Sequence, residues 1–374
     1  MKIRRKLSIY LIIIIFTVLL VNTLVTNTND HIIKGNINIW VEDKYYSYFT
    51  STAKEFEKNN KKVSIKVVSV KQEDYLYKIL NTVPNELPSI VHLNFKELNS
   101  VIDKIEFTNE NKQIIETYNK NFNNSRLEEV QIKDNYYAVP FTSNPIALYL
   151  RSDILKKFGY KAEDINSWER LIEIGKDIYT KSNGDINIFS SQDKENIRLL
   201  LAAQLVDYEE KSYENNQIND IINSIYNESF INDSNYICRI ASIDFYKDLI
   251  NNSIDGIWEC KNPPSLNIGE NKFYDIGGEN LVALNIENNK EAIKSFISYA
   301  STNKELLSKE MLECNFVPSS LYSLRTKNIN KEGTKVQGSS PFLILSNIVE
   351  KAPEIKSYDK FNEIIYNVYT NYIR

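Results

Sequence analysis

From residue 36 the chain shows period-two alternation. Ile37, Ile39 and Val41 alternate with Asn36, Asn38 and Trp40, which predicts a strand. Tyr46, Phe49, Ala53 and Phe56 then recur on one face of a polar helix. Val63, Ile65 and Val67 predict a second strand, and Leu76, Ile79, Leu80 and Val83 a second helical stripe. Pro88-Ser89-Ile90-Val91 begins a third strand. This β-α-β-α-β order predicts a parallel sheet with right-handed crossovers. Ligands of such sheets gather at the carboxyl ends of the strands. After strand one that end carries Glu42, Asp43, Lys44 and Tyr45, and after strand three His92, Leu93 and Asn94. Glu42 and Asp43 read equally as a solvated helix start or as ligand contacts.

The stretch Tyr136 to Leu155 breaks the pattern. Tyr137, Val139 and Phe141 form one extended run and Ile146 to Leu150 a second, with Thr142-Ser143-Asn144-Pro145 between. Pro145 has no N–H and biases Asn144 away from the helical region, so the chain passes through extended. Small polar side chains are poor core material. The stretch is either an edge strand with a proline bulge or a strand crossing between two lobes and lining the groove. Farther on, Asn166-Ser167-Trp168-Glu169 reads as a capped helix start. Trp168, Leu171, Gly175 and Ile178 share a face there, which makes Trp168 a packing residue.

Composition narrows the function classes. Apolar residues make up 42% of 374 and charged residues 25%, a globular balance. The net charge of −4 is spread in mixed signs, which argues against a nucleic-acid surface. His31 and His92 are the two histidines, and Cys238, Cys260 and Cys314 are widely spaced. No short-spaced ligand cluster is visible, so no metal is expected, and no cofactor. No motif supports a triad through His92. Gly333 to Gly338 is followed by Ser339-Ser340 and lacks the lysine of a phosphate-binding loop. The three thiols are expected to be free and buried.

The first 25 residues have their own logic. Lys2, Arg4, Arg5 and Lys6 precede an apolar run from Leu7 to Val21, broken by Ser8 and Thr17. This is an export signal or signal anchor with its basic end in the cytoplasm. No clear small-residue cleavage site follows, and counted on to Val25 the run is about long enough to cross a bilayer. An uncleaved anchor on the outer face of the membrane is expected, with 26–35 as a tether; cleavage and release of the protein is the alternative.

A family resemblance rests on several stretches. Asp134-Asn135-Tyr136-Tyr137-Ala138-Val139-Pro140, followed by Leu148 to Tyr160, resembles the first crossover of the extracellular solute-binding proteins of ABC importers, in the maltose-binding-protein-like group. Ile39-Trp40, Ala53 to Lys58, Pro88 to Val91, Trp168-Glu169 and Asn315 to Ser320 resemble further stretches of that family, with Ser89 replacing the usual Asp. Ile237 to Ser242 and Ile254 to Glu259 resemble two of its strands. Gly277 to Leu284 resembles its return crossover, and Asn285 to Ala300 the helix after it, with Ala292, Phe296 and Ile297 inward. Two departures stand out. No lipobox cysteine follows the apolar run, and Ile243 stands where many sugar-binding members carry Trp.

The resemblance implies a type II periplasmic-binding-protein fold, an α/β two-lobe clam-shell in which each lobe is a mainly parallel sheet flanked by helices. The chain would cross between lobes near 142–147, 277–282 and 301–315. Lobe 1 would comprise 36–144 plus 279–305, and lobe 2 145–278 plus 306–374. The implied function is capture of a small solute, most simply a carbohydrate, for the permease subunits of an ABC importer, with no catalysis. A membrane-anchored accessory sensor for a receptor or histidine kinase is the alternative. Both lobes should supply ligand contacts, with aromatic faces and fixed polar groups sharing the work. The aromatic candidates are Trp40, Tyr45 and Trp258, though Trp258 faces either cleft or core. The polar ones are Glu42, Asp43, Asn94, Ser143, Asn144, Ser242, Glu279 and Asn280.

Overall fold

Strands β1 (Lys34–Glu42) and β2 (Lys62–Val70) pair in parallel along their whole length, Lys34 opposite Lys62 and Glu42 opposite Val70. The computed structural model describes residues 32–208, 221–225, 227–251, 254–284, 289–327, 329, 335–355 and 360–364. The expected leader and most of the tether lie outside the described residues, as does most of the C-terminal stretch Tyr358 to Tyr372, which the sequence reads as helical and as closing lobe 2. Among the described residues no helix is long and apolar enough to cross a membrane.

The remaining strands are β3 (Ile90–Leu93), β4 (Gln131–Ile132), β5 (Asn135–Tyr136), β6 (Val139–Pro140), β7 (Thr142–Ser143), β8 (Ala147–Arg151), β9 (Cys238–Ala241), β10 (Trp258–Lys261), β11 (Asn280–Ala283), β12 (Val317–Pro318) and β13 (Val336–Gln337). Two larger sheets result, in the orders β2-β1-β3-β11-β6 and β13-β10-β8-β9. Between them lies the short antiparallel pair β7–β12, Ser143 opposite Val317. The small hairpin β4–β5 turns through Lys133 and Asp134, both at positive φ.

Each large sheet is mainly parallel, as expected, with one strand reversed. In the first, β11 runs antiparallel to both neighbours, β3 and β6. In the second, β8 runs antiparallel to both β10 and β9. The reason is directional. β8 follows the Thr142–Pro145 crossover and β11 follows the Gly277–Gly278 return. Each is the strand by which the chain enters its sheet, and it points against the strands that local helical crossovers connect.

The helices that matter for the site are α1 (Asp43–Asn59), α2 (Gln72–Asn81), α3 (Phe95–Val101), α4 (Glu110–Tyr118) and α5 (Asn124–Glu129). α1 buries Phe49, Ala53 and Phe56 against the first sheet, as its periodicity predicts, but Tyr45 and Tyr48 turn inward with them and Tyr46, expected on that face, is exposed. α2 is rotated from its predicted phase. Tyr75 and Ile79 face inward, whereas Leu80 is partly exposed and Val83 is 56% exposed beyond the helix end. The Tyr75 hydroxyl sets that phase by donating to the Trp40 carbonyl at 2.9 Å and accepting the His92 N–H at 3.0 Å.

The apolar core divides with the sheets. Clusters built on β1, β3, β6 and β11 end at Phe141, and clusters built on β8, β9 and β10 begin at Ile146. Phe316 packs with the first group and Val317 with the second. The helix Trp168–Lys181 buries Trp168, Leu171, Gly175 and Ile178 as expected, and Ser167 caps it by accepting the Arg170 N–H. The helix Lys290–Thr302 buries Ala292, Phe296 and Ile297. Cys238, Cys260 and Cys314 are free and buried.

Candidate functional site

The carboxyl ends of β1 and β3 meet the start of β11, so that Glu42, His92 and Glu279 converge although 50 and 187 residues separate them from one another in sequence. The Glu42 N–H donates to His92 Nε2 at 3.0 Å. His92 Nε2 is therefore the acceptor, and Nδ1 carries the proton of the neutral ring. Nδ1–H donates to Glu279 Oε2 at 2.9 Å. The imidazole is buried between the Tyr75 ring, stacked at 4.6 Å, and the edge of Tyr45 at 5.0 Å. Both ring nitrogens are thus committed.

Lys44 completes the cluster. Its Nζ lies 2.9 Å from Glu42 Oε2, 3.8 Å from Glu279 Oε1 and 4.8 Å above the Tyr45 ring. Burial opposes ionisation of Glu279, but the His92 hydrogen bond and the charges of Lys44 and Arg126 outweigh it and hold its pKa below the ordinary carboxylate value. Glu97, on α3, moves the other way. Burial first, then the charge of Glu279, push its pKa up to about 7. Glu97 and Asn94 cap each other, Glu97 Oε2 accepting the Asn94 N–H and Asn94 Oδ1 the Glu97 N–H, each at 3.0 Å.

Glu42, His92 and Glu279 bring ligand-type atoms within 4.8 Å of one another, a spacing that also suits a metal ion. The hydrogen bonding argues against that use. A metal on Nδ1 needs that nitrogen deprotonated, which moves the proton to Nε2 and sets it against the Glu42 N–H. The charge between the carboxylates is already supplied by an ammonium.

A second buried network lies beside the first, at the crossovers. Arg126 pairs with Glu129 and donates to the Thr142 carbonyl at 3.0 Å and to Asn280 Oδ1 at 2.8 Å. Asn280 Nδ2 donates to the Leu93 carbonyl at 3.1 Å and Glu129 Oε1 at 3.2 Å. Asp275 Oδ1 accepts the Asn144 N–H at 2.8 Å, and the Ser143 and Ser319 hydroxyls lie 3.1 Å apart. Gly278 is required here, since a Cβ would fall 2.0 Å from the Thr142 carbonyl oxygen.

The structure sorts the eleven candidate residues into groups. Glu42, Tyr45 and Glu279 come together at the strand ends, with Asn94 capping α3 beside them. Ser143, Asn144 and Asn280 belong to the crossover network, and the side-chain amide of Asn280 is fully used there. Asp43 is exposed and accepts a hydrogen bond from the Ser69 hydroxyl. Trp40 is buried among Val70, Tyr75, Ile79 and Leu93, with the Lys78 ammonium 4.3 Å over its ring. Trp258, open to either role in the sequence, faces the core. It is fully buried, packs on Phe245 at 5.0 Å and donates Nε1–H to the Asp255 carbonyl. Ser242 is buried and its carbonyl accepts the Tyr149 hydroxyl. Sequence reasoning set Lys44 and His92 at the strand ends without choosing them as contacts, and missed Glu97 and Arg126, because no local spacing links them to the others. It placed Tyr46 on the inward face of α1, where the ring is instead 43% exposed.

Residues 51–263 match the family described as bacterial extracellular solute-binding protein. A lactose-binding protein of Rhizobium radiobacter is 28% identical over 106 residues, 28% of this chain and 22% of that relative, so the alignment spans about a fifth of the relative's length. In fold, the GacH receptor of Streptomyces glaucescens, solved unliganded and with acarbose, is similar with a TM-score of 0.66 at 15% identity, covering 90% of this chain and 92% of that one. The sugar-binding protein MalE of Xanthomonas citri is similar at 0.66 and 14%, covering 89% and 96%. These structural likenesses give the mixed α/β fold of type II periplasmic binding proteins. The matched span is more than half of the chain, and the chain belongs to the bacterial extracellular solute-binding protein family, whose members bind solutes outside the cytoplasm and are not enzymes.

Proposed function

We propose that this protein captures a carbohydrate between two lobes, one built on each large sheet, and delivers it to an ABC importer. The observation that carries the reading is the convergence of Glu42, Lys44, Tyr45, His92 and Glu279 at the carboxyl edge of the first sheet, beside the chain crossovers. Polar groups fixed by buried partners, with an aromatic wall, suit hydroxyl recognition. The names of the lactose-binding relative and of MalE, and the acarbose complex of GacH, favour a saccharide. We set the lobe limits at 36–144 plus 279–305 and 145–278 plus 306–374; the change of core between Phe141 and Ile146 supports the first crossover, although Leu307 and Phe316 still pack with the first core. Closure about Thr142–Pro145 and Gly277–Gly278 would bury the ligand.

Thermal-shift screening against mono- and oligosaccharides tests the reading. A true ligand at 100 times its Kd stabilises by about 2.7 kcal/mol. Silence across the whole panel removes the carbohydrate assignment. The basic, then apolar, start of the chain supports an anchor on the outer membrane face. Release of the protein from membranes by alkaline carbonate would count against it.

A further inference from the structure

Two buried carboxylates from distant strands point at one spot, and a lysine ammonium stands on it. The Glu42 and Glu279 side chains are 5% and 10% exposed, whereas that of Lys44 is 47% exposed. The cation therefore sits on the solvent side of the pair, on a flexible stem that nothing encloses. Glu42 Oε2 is buried, and its ion-pair partner among the described residues is the Lys44 ammonium at 2.9 Å. That partner comes from the solvent side, so a ligand N–H donor arriving from the same side can take its place. The Tyr45 ring supplies a third wall by cation–π attraction. On the far side the His92 proton occupies Glu279 Oε2 and leaves Oε1 to the cation.

We propose that Glu42, Glu279 and the Tyr45 ring form an ammonium subsite that Lys44 fills while the protein is empty, and that the ligand is an amine-bearing saccharide whose protonated amine displaces Lys44. The ligand class rests on the carbohydrate reading above, but the ammonium subsite does not. A neutral sugar leaves Lys44 in place and gains only hydroxyl contacts. An amino sugar brings N–H donors to both carboxylates and frees Lys44 to swing into water.

The test has two arms. The first is calorimetric titration of the full chain with glucosamine and its β-1,4-linked dimer, against glucose, cellobiose and N-acetylglucosamine. Binding of the amines at least tenfold tighter, abolished by Glu42→Gln or Glu279→Gln, is expected. Equal or tighter binding of the neutral sugars overturns the amine assignment and leaves the solute-binding reading standing. The second arm needs no sugar. In Lys44→Met the subsite is vacant, so methylammonium chloride should raise its Tm above that in sodium chloride at equal ionic strength. Wild type and the Glu42→Gln/Lys44→Met double variant should not respond. No response from Lys44→Met overturns the subsite itself. A response there, with no saccharide bound in any assay, keeps the subsite and discards the carbohydrate.

Discussion

Trp258 and Tyr46 show how residues of similar chemistry divide by position. Trp258 lies wholly inside the second core, so Trp258→Ala should cost about 3–5 kcal/mol in denaturant titrations. Tyr46 stands exposed in the first turn of α1, next in sequence to Tyr45. Tyr46→Ala should shift stability by no more than about 0.5 kcal/mol while weakening saccharide binding by calorimetry. Glu97 and Glu279 give opposite pH dependences. The folded-state pKa of Glu97 is raised from 4.5 to about 7, so its contribution is complete below pH 4.5 and is lost as pH rises to 7. The folded-state pKa of Glu279 is lowered, so its contribution is complete above its unfolded value and is lost as pH falls below that. Urea midpoints measured from pH 4.5 to 7 should therefore decline less in Glu97→Gln than in wild type. An unchanged slope would remove Glu97 from the account.

At the scale of elements, the alternation of β1 and the stripes of α1 and of the Trp168 helix were legible because burial of one face dictates the period. The phase of α2 was not, because a tyrosine hydroxyl overrode the apolar count. Tyr75 turns inward to bridge the Trp40 carbonyl and the His92 N–H, and Leu80 and Val83 are turned out. The paired glycines at the return crossover were legible as a bend, and the structure supplies the reason for one of them. The Thr142 carbonyl that a Cβ on Gly278 would strike is held by Arg126 and cannot retreat freely. Gly278→Ala should cost about 1–3 kcal/mol and lower the unfolding midpoint. The site itself was half legible. Strand-end logic reaches Glu42, Lys44, Tyr45 and His92, and the return crossover reaches Glu279, but the roles of His92 and Lys44 come from pairing between strands distant in sequence.

Over the whole molecule, the α/β architecture and the parallel run of β1, β2 and β3 could be read from the order of elements, but the reversal of β8 and β11 could not. Direction depends on where the chain re-enters a sheet, and a local pattern is the same whichever way a strand points. If the two sheets mark lobes that close on a ligand, small-angle scattering should show a smaller radius of gyration with saturating saccharide than without. An unchanged radius would contradict closure.

The reversed strand β11 has a consequence for how the polypeptide is made. Asn280 donates to the Leu93 carbonyl from 187 residues downstream, and the β3 edge has no other partner on that side. A nascent chain ending before residue 280 carries an apolar strand, Ile90 to Leu93, with its backbone groups unpaired and ready to join another copy. The first half must therefore wait, unfinished, until nearly three quarters of the polypeptide has emerged. A fragment of residues 32–144 expressed alone should aggregate, and adding a peptide spanning 277–284 should reduce that aggregation.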